Sequence, residues 1–427
     1  MKNVIGKGSH EQRLTPSDVQ SIVETALSQE SLDDKRVLVI LPDHRRPSPM
    51  DLFFRNICDY LQPRVQAIDF LIASDSQLPM DLERIYRYVG ISEAVHALRY
   101  PKVRFFNHDA LDQASLRELG VLEGSEVAEM TGGVWSSAIP IHINNKALEA
   151  DFIIIVSPVA PDEGVGFAGG NQNLIPAIAG LDLVETFHWL AAIVTNPVIN
   201  GVKDTPTRRV VDRAARLLVT PRLCLAFTVD DQHELACLYA GTPEAAWSKA
   251  ADCSARLHIR YVEKPFRRIL GLTPPIYEEL WVAGNAMYKL EPIVADDGEL
   301  VIHGVNVHEV SFAHGPEIER IGYHIRDFFT KQWDQFAGEP KLILAHSANV
   351  RGVGRFENGL EWPRITVSLA TSIPRATCNR INLGYREIDS IDIEEWKKDP
   401  ETLVVEEAGQ VLYRLGHPPR ETSLAEG

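Results

Sequence analysis

The sequence predicts an α/β fold with two domains, each built on a parallel or mixed sheet covered by helices. Short unbroken apolar runs alternate along the chain with amphipathic stretches, which is the pattern of buried strands connected by helices. With 427 residues and 45% hydrophobic content, the chain is too long for one ordinary core and apolar enough for two. In such folds, ligands gather beyond the carboxyl ends of the strands.

The first domain is predicted to open with a helix. Thr15 is suited to the N-cap, Pro16 to the first helical position, and Asp18 to an acidic first turn. Apolar runs then predict buried parallel strands at 36–41, 65–73 and 152–156. Helices are predicted between them at 49–61 and 82–89.

A second domain is predicted to begin near Lys264, where prolines and a basic cluster interrupt the pattern. We therefore expect a first domain at 1–263 and a second at 264–399, with 400–427 returning to the first domain. The predicted strands of the second domain lie at 300–307, 341–345 and 365–369. The active site is expected in the cleft between the domains.

Composition excludes several classes of function. A net charge of −16 argues against nucleic acid as a partner, because binding a phosphate backbone requires clustered Lys and Arg. The five cysteines are odd in number and widely spaced, so we expect reduced core residues rather than a disulfide framework or a zinc site. A polar N-terminus and the lack of a long apolar run predict a cytoplasmic protein that does not span a membrane.

The loop at 42–49 directly follows a predicted strand and carries Asp43, His44, Arg45 and Arg46. Arginine offers a planar fork of donors that suits carboxylate or phosphate. A rigid turn with an internal Asp–Arg pair explains the same residues equally well. Spacing alone leaves both interpretations open.

The loop at 158–179 contains Gly164, Gly166, Gly169 and Gly170. Glycines there would let backbone N–H groups approach an anion closely. Their spacing matches neither a dinucleotide-binding loop nor a Walker A loop, and glycine-rich loops are more often simple turns. Farther along, His188 stands on an otherwise apolar helix without a second metal-ligating partner, a setting more typical of a core histidine than of a metal ligand.

Taken together, these segments resemble the lactate racemase (LarA) family over most of the chain. The resemblance rests on Asp43-His44-Arg45-Arg46-Pro47, on the stretch from Pro161 to Gln172, on Pro176-Ala177, and on the later landmarks Tyr288-Lys289-Leu290-Glu291-Pro292, Ala345-His346-Ser347, Val350-Arg351-Gly352 and Asn382-Leu383-Gly384-Tyr385. Family members hold a nickel-pincer nucleotide, whose ring carbon and two sulfurs bind nickel with a protein histidine as the fourth ligand. The resemblance places that ligand at His188, which reverses the interpretation from the helix alone.

Four functional positions of the family are changed in this chain. Gln77 stands where one catalytic histidine is expected, and Asp162 where the second is expected. Gln172 replaces the lysine that tethers the cofactor covalently, and Asn285, following Trp281, replaces a substrate-binding lysine. Lys289 is near enough in sequence to compensate for that last change.

The resemblance implies an isomerase, a racemase or epimerase, that acts by hydride transfer to a non-covalently held nickel-pincer nucleotide. Loss of one proton-transfer group argues against lactate and favours another 2-hydroxy acid or a sugar-like substrate. The expected acid/base and orienting residues are Asp162, Glu163, Gln77, His44 and His108. The expected cofactor contacts are Asp43, Arg45, Arg46, Gly169, Gly170, Asn171 and Gln172. The expected substrate contacts are Arg46, Trp281, Asn285 and Lys289.

Two alternatives remain open at this stage. One is a catalytically silent relative that binds the nucleotide or cofactor, which the four changed positions favour. The other is an enzyme on the same fold that uses neither nickel nor the nucleotide. A measurement of metal content separates the second alternative, which lacks nickel, from the other two interpretations. A measurement of turnover separates the first alternative, which has none, from the isomerase.

Overall fold

The computed structural model describes residues 4–9, 11–43, 48–73 and 79–417. Its strands are β1 (Ile5–Gly8), β2 (Arg36–Leu41), β3 (Ala67–Ile72), β4 (Val103–Asn107), β5 (Leu116–Leu122), β6 (Ile139–Asn144), β7 (Phe152–Pro158), β8 (Pro161–Asp162), β9 (Gly166–Phe167), β10 (Arg222–Val229), β11 (Leu235–Gly241), β12 (Ile259–Val262), β13 (Phe266–Leu272), β14 (Val294–Gly304), β15 (Gly354–Glu357), β16 (Leu360–Pro363), β17 (Thr366–Thr371), β18 (Gly384–Tyr385), β19 (Thr402–Val405) and β20 (Leu412–Leu415).

The α-helices are α1 (Pro16–Ser28), α2 (Met50–Leu61), α3 (Leu82–Tyr88), α4 (Glu93–Arg99), α5 (Gly124–Thr131), α6 (Lys146–Glu149), α7 (Leu181–Val194), α8 (Asn196–Ile199), α9 (Pro206–Ala215), α10 (Pro243–His258), α11 (Leu280–Ala283), α12 (Asn285–Leu290), α13 (Gly315–Ile321), α14 (Arg326–Thr330), α15 (Trp333–Phe336), α16 (Lys341–Arg351), α17 (Arg375–Arg380) and α18 (Ile393–Lys398). Short 3-10 turns lie at Gln113–Ser115, Gly170–Asn173, Glu291–Ile293 and Ile388–Ser390. Among the described helices, none combines the length and the apolar character needed to cross a bilayer.

The chain divides into two compact units. Unit 1 comprises residues up to Pro161, Val165–Phe187 and Lys203–Leu257. Unit 2 comprises Asp162–Gly164, His188–Val202 and the residues from His258 onward. The two-domain α/β prediction is therefore confirmed.

Unit 1 is organised around a seven-stranded mixed sheet in the order β1-β11-β10-β7-β2-β3-β4. The strands from β10 to β4 are parallel, and β1 and β11 extend the sheet antiparallel. Along β2, both Val37 and Val39 on one face and Leu38 and Ile40 on the other are buried. Burial on both faces explains why the strands read as unbroken apolar runs.

Helix α1 shows how local sequence sets an element of unit 1. The Thr15 side chain accepts from the Asp18 backbone N–H, and the Asp18 carboxylate accepts from the Thr15 N–H, which completes a capping box. Val19, Val23 and Leu27 then lie fully buried along one face. The predicted helix is thus confirmed together with its cap.

Unit 2 contains a five-stranded parallel sheet in the order β18-β17-β14-β13-β19. It differs from the expected second domain in its boundaries. The predicted return of 400–427 to the first domain is not observed in the described part of that segment, because β19 pairs with β13 inside the sheet of unit 2. Segment 188–202, expected in the first domain, also belongs to unit 2.

One predicted strand of the second domain is wrong. Residues 341–345 form the first turns of α16 and not a strand. Ile343 and Leu344 are buried, and the burial continues through His346, Ser347 and Ala348. A short apolar run fits a buried helix as well as a buried strand, so periodicity alone could not separate the two.

Candidate functional site

Three loops that the sequence places after predicted strands of unit 1, at 42–49, 73–80 and 158–179, begin at neighbouring strand ends. The strands β7, β2 and β3 lie side by side and parallel, ending at Pro158, Leu41 and Ile72. Their carboxyl ends therefore share one edge of the sheet, where ligands of open α/β sheets bind. His44, Arg45, Arg46 and Gln77, which were predicted to act at this edge, lie outside the described residues.

Asp43 is the one residue of its predicted group that the structure describes. The Tyr88 hydroxyl donates to the backbone oxygens of Pro42 at 2.8 Å and of Asp43 at 3.3 Å. Burial raises the pKa of Tyr88, and the nearby Asp43 charge raises it further. The phenol therefore stays protonated and holds the end of β2 in place.

The glycine loop, residues 166–173, is closely packed against the rest of unit 1. Gly169 and Gly170 have φ angles of +91° and +62°, a region that favours glycine. A Cβ at Gly169 would lie 2.5 Å from the Ser157 hydroxyl oxygen, and one at Gly170 would lie 3.0 Å from the Trp247 Cβ. Both glycines are thus required by backbone conformation and by close approach.

The backbone N–H groups of these glycines are already used inside the loop. Gly169 donates to the Gln172 side-chain oxygen at 2.9 Å, and Gly170 donates to the Ser157 hydroxyl at 2.8 Å. The prediction that these N–H groups are available to a cofactor anion is therefore not met in this conformation. Gln172, at the position of the tethering lysine, acts here as a cap of the loop.

A buried arginine holds the loop from the other side. The Arg208 guanidinium donates to the backbone oxygens of Gly169, at 3.1 Å, and of Phe167. It also lies 4.1 Å from the centre of the Trp247 ring, in a cation–π contact. Since Arg208 is 3% exposed, these contacts replace its hydration.

Asn171 connects the loop to two acidic residues. Its side-chain nitrogen donates to Asp212 and to Glu244, at 3.0 Å each. Burial raises the pKa of Asp212, the Glu244 charge adds to that rise, and Arg208 opposes it. The side-chain oxygens of Asn171 and Asn173 are buried and accept no hydrogen bond from the described residues, so they are polar atoms of the loop that a ligand could still satisfy.

His108, a predicted proton-transfer candidate, has a structural role in unit 1. It is 1% exposed. Its Nε2 lies 2.8 Å from the Ala179 backbone oxygen and its Nδ1 lies 3.3 Å from the Asn144 side-chain nitrogen. A neutral imidazole that donates through Nε2 and accepts through Nδ1 is satisfied by these partners, so His108 is a core residue and not an accessible base.

The remaining described candidates fall together in unit 2. These are Asp162, Glu163, His188, Trp281, Asn285 and Lys289. The Asp162 carboxylate accepts from the Gly164 backbone N–H at 2.9 Å, which turns the chain at that point. The predicted residues are therefore divided, with Asp43, His108 and 169–172 in unit 1 and the metal and substrate candidates in unit 2.

His188 lies on a segment that is held by other parts of unit 2. The adjacent Trp189 stacks on Trp333 with ring centroids 5.6 Å apart. Arg326 donates to the Ile193 backbone oxygen at 2.8 Å. The half-buried His188 imidazole itself has no hydrogen bond or ion pair with any described residue. Its ring nitrogens are therefore free of competing partners in the described structure.

Downstream of His188, two asparagines connect its segment to α12. The side-chain nitrogens of Asn196 and Asn200 donate to the Tyr288 backbone oxygen at 2.9 and 3.2 Å. Both asparagines are buried. Their bonds fix α12, which carries Asn285 and Lys289, relative to the His188 segment.

An aromatic cluster surrounds His346 in unit 2. The Tyr288 hydroxyl lies 2.8 Å from His346 Nδ1, and the Tyr323 hydroxyl lies 3.3 Å from Nε2. The Trp281 ring lies against the same imidazole, with centroids 4.0 Å apart. We call Trp281, Tyr288, Tyr323 and His346 the imidazole cluster. One predicted substrate residue, Trp281, belongs to it, and two others, Asn285 and Lys289, lie on α12 together with Tyr288.

Burial sets the charge state of the imidazole cluster. It lowers the pKa of His346 to about 3, with a further contribution from His314. Burial also raises the pKa of Tyr288, and the Glu163 charge raises it further. At neutral pH the cluster therefore holds a neutral imidazole between protonated phenols, with the Glu163 carboxylate close enough to act on Tyr288.

Sequence reasoning noted His346 as a landmark but did not count it as a site residue. The sequence does show an isolated histidine on an apolar stretch and two aromatic residues, Trp281 and Tyr288, earlier in the chain. It does not show that they meet. The partners are 65 and 58 residues distant along the chain for Trp281 and Tyr288, so spacing could not reveal the contact. Among described residues, no group of three His, Cys, Asp or Glu side chains is arranged to hold a metal ion.

Comparison with known proteins gives consistent results. Residues 11–199 match the lactate racemase N-terminal domain. The chain is 23% identical over 322 residues to the lactate racemase of Thermoanaerobacterium thermosaccharolyticum, covering 73% of this chain and 70% of that protein.

Two solved structures share the fold. A crystal structure of a protein from Thermotoga maritima superposes with a TM-score of 0.78 at 28% identity, covering 95% of this chain and 99% of that one. The lactate racemase apoprotein from Thermoanaerobacterium thermosaccharolyticum superposes with a TM-score of 0.67 at 18% identity, covering 93% of each chain. The chain therefore carries a lactate racemase N-terminal domain at residues 11–199 and shares its fold with the lactate racemase apoprotein.

Proposed function

We propose that the protein is a racemase or epimerase that acts on a 2-hydroxy acid or a sugar-like hydroxylated substrate other than lactate. It would do so by hydride transfer to a nickel-pincer nucleotide held without a covalent bond. The observation that carries this proposal is the His188 imidazole, which has no partner among the described residues and lies in the same unit as Glu163, Trp281, Asn285 and Lys289.

The residues present fit such a cofactor. A group that brings three donor atoms of its own needs one protein ligand, and the half-buried His188 imidazole is available for that role. Gln172 cannot form the covalent linkage of a lysine and is engaged with Gly169, which supports non-covalent binding.

When bound, the cofactor supplies a centre that accepts hydride from the substrate α-carbon and returns it. The chain's own residues would orient the substrate and move the hydroxyl proton. Lys289 is the cation suited to a substrate carboxylate, and Asn285 and Trp281 suit hydroxyl groups and an apolar face. This division of roles favours a substrate richer in hydroxyls than lactate.

Glu163 is the preferred proton-transfer group. The Asp162 carboxylate is engaged with the Gly164 N–H, and His108 is enclosed in the core of unit 1. The Glu163 charge acts on Tyr288, whose hydroxyl is bonded to His346. A proton taken by Glu163 would therefore lie beside a hydrogen-bonded chain that can respond to the change in charge.

A catalytically silent relative that binds the cofactor is the second candidate. The observation that favours it is the internal use of the Gly169 and Gly170 N–H groups, together with glutamine at position 77. Turnover decides between the two. An enzyme loses activity with Glu163→Gln, whereas a silent binder shows none to lose in a cofactor-loaded preparation.

The first experiment is to produce the full chain in a host that makes the nickel-pincer nucleotide and to measure nickel per chain with native and denatured mass. We expect nickel, together with a cofactor mass present only in the native protein. His188→Ala should lose the nickel and keep its fold by circular dichroism, while His142→Ala, at an equally half-buried histidine, serves as the matched control.

Nickel retained by His188→Ala, or no nickel in a wild-type preparation beside a loaded control racemase, would refute the proposal. Single substitutions Glu163→Gln, Asp162→Asn, His44→Gln and His108→Gln then test proton transfer, using a panel of hydroxy acids and sugar acids. Unchanged turnover in all four would exclude the assigned acid/base residues.

A further inference from the structure

Two sequence landmarks that the proposed function does not use meet at one surface cavity in unit 2. The cavity has a volume of about 340 Å³ and is lined by Arg351 from the end of α16 and by Asn382, Leu383 and Gly384. The rest of the lining comes from Pro363 at the end of β16, from Ile365, Thr366 and Val367 around the start of β17, and from Asn379. Its volume lies in the range of pockets that bind small organic molecules.

Arg351 is the charged residue of this lining. The Arg351 side chain is half-buried and its Nε is fully enclosed, yet it forms no hydrogen bond or ion pair with any described residue. Burial lowers the pKa of Arg351, which reflects the cost of holding a charge away from water. A buried guanidinium without partners is uncommon, because its five N–H groups normally find acceptors.

The nearest carboxylate does not serve as that partner. Glu361 favours the charge on Arg351 through space. Its oxygens, however, are taken by the His324 imidazole at 2.6 Å, the Ile325 backbone N–H at 2.9 Å and the Asn382 side-chain nitrogen at 3.0 Å. Glu361 is thus committed to these three partners, and the Arg351 donors remain for a ligand.

The rest of the lining suits a small molecule with a polar and an apolar part. Asn379, the Asn382 side-chain oxygen and the Thr366 hydroxyl provide neutral hydrogen-bonding groups, and Ile365 and Leu383 provide apolar surface. The Asn382 side-chain nitrogen is already bonded to Glu361 and to the Tyr323 backbone oxygen. Gly384 approaches β17 so closely that a Cβ there would lie 2.5 Å from the Ser368 hydroxyl oxygen. A glycine is therefore required at this point of the lining by its close approach to β17.

We propose that this cavity is a binding site for a small organic oxyanion, with a carboxylate or phosphate group held by the Arg351 guanidinium. A planar guanidinium binds either group through two parallel hydrogen bonds. The neutral amides and the apolar floor would contact the body of the ligand. The site lies within unit 2 and does not depend on nickel or on the nucleotide.

The test uses the full chain without cofactor, titrated calorimetrically at low ionic strength with inorganic phosphate and, separately, with succinate. We expect saturable binding of at least one probe, with the other probe identifying which anion is preferred. Arg351→Gln should weaken binding at least about tenfold, since it removes a charge-assisted pair. Arg351→Lys should retain part of the affinity, because it keeps the charge but not the fork.

The matched control is Arg355→Gln, which removes the same charge from an exposed position on β15 and should leave binding unchanged. Methyl NMR of the wild-type protein provides a readout that does not depend on the folding of a variant. Resonances of Ile365 and Val367 should shift with the bound probe. No saturable binding of either probe, equal binding by Arg351→Gln, or shifts confined to other methyl groups would overturn the proposal.

Discussion

The glycine loop of unit 1 and the imidazole cluster of unit 2 both surround a buried basic side chain, but they treat its charge in opposite ways. Arg208 keeps its charge, which two backbone oxygens and the Trp247 ring stabilise. His346 loses its charge, because burial lowers its pKa to about 3 between two phenols. The first arrangement is permanent over ordinary pH, whereas the second depends on it.

The difference teaches where each unit is vulnerable. Removing Arg208 takes hydrogen-bond donors away from backbone oxygens and destabilises unit 1 at any pH. A fall in pH destabilises the imidazole cluster without any mutation. A guanidinium cannot release its proton to escape burial, so its surroundings must satisfy it. An imidazole can release its proton when it is buried, so its surroundings need to satisfy only the hydrogen bonds of the neutral form.

The largest effect is expected for Arg208→Ala. It leaves the Gly169 and Phe167 oxygens with one longer bond each, of 3.3 Å, from the Gln172 backbone N–H and the Trp247 Nε1. It also removes the contact with the Trp247 ring and the 3.8 Å ion pair with Asp212, so we expect a loss of about 4 kcal/mol in the free energy of unfolding. Chemical denaturation at pH 7 measures it. The adjacent Arg209, which is exposed and paired with Asp204, is the control, and Arg209→Ala should be nearly neutral. Similar losses for both variants would show that the glycine loop does not depend on the buried charge.

The second effect is a dependence on pH carried by His346. Its pKa is about 3 in the folded protein and about 6.5 when unfolded, so the unfolded state binds the extra proton between these values. The stabilising contribution is complete above pH 6.5 and falls as the pH falls, by about 2 kcal/mol at pH 5. Denaturation of wild type and His346→Gln at pH 7 and pH 5 measures this change.

The quantity to compare is the difference in the free energy of unfolding between wild type and His346→Gln. This is necessary because Glu291 in the same unit makes the free energy of unfolding depend on pH in the opposite direction. Burial raises the pKa of Glu291 to about 7, so its contribution worsens as the pH rises from its unfolded value toward 7. The subtraction cancels that term. An advantage of wild type over His346→Gln that stays constant from pH 7 to pH 5 would mean that the imidazole is not held neutral.

A smaller effect is expected for Tyr288→Phe. It leaves His346 Nδ1 without its 2.8 Å partner in a buried setting, which costs about 1.5 kcal/mol. The matched control is Tyr385→Phe, whose hydroxyl bonds an exposed glutamate and should matter little. Thermal unfolding compares them. Equal midpoints of thermal unfolding for the two variants would show that the Tyr288 hydroxyl does not stabilise the imidazole cluster.

The smallest effect is expected for Gln172→Ala, which removes the side-chain acceptor for the Gly169 N–H. The loss should be about 1 kcal/mol, like that of a helix cap. Gln172→Glu keeps an acceptor and should cost less. If both variants lose the same amount, the side-chain oxygen is not what holds the loop.

Local sequence was sufficient for the elements whose signals lie within a few residues. The Thr15 and Asp18 cap, the apolar strands and the glycine-rich turn follow from short-range chemistry, and the structure confirms them. The predicted strand at 341–345 failed because burial on a helix and on a strand gives the same short apolar run. Domain boundaries failed where strand pairing over long separations decided them, as for β19 and β13.

The candidate site shows the same limit. The family resemblance supplied His188, but no spacing rule could show that His108 is enclosed by Asn144 and Ala179. Nor could it show that the glycine N–H groups are used by Ser157 and Gln172. Such partners depend on which segments the fold brings together, and those contacts are absent from a linear pattern.

The five cysteines, all free and buried as predicted, provide a natural label for the opening of each unit. Cys58, Cys224, Cys237 and Cys253 belong to unit 1, and Cys378 is the cysteine of unit 2. Burial raises the pKa of Cys378 to about 11, so its thiol reacts only slowly while it stays enclosed. Pulse alkylation followed by peptide mass analysis would therefore time the opening of the two units separately, within one unmodified chain.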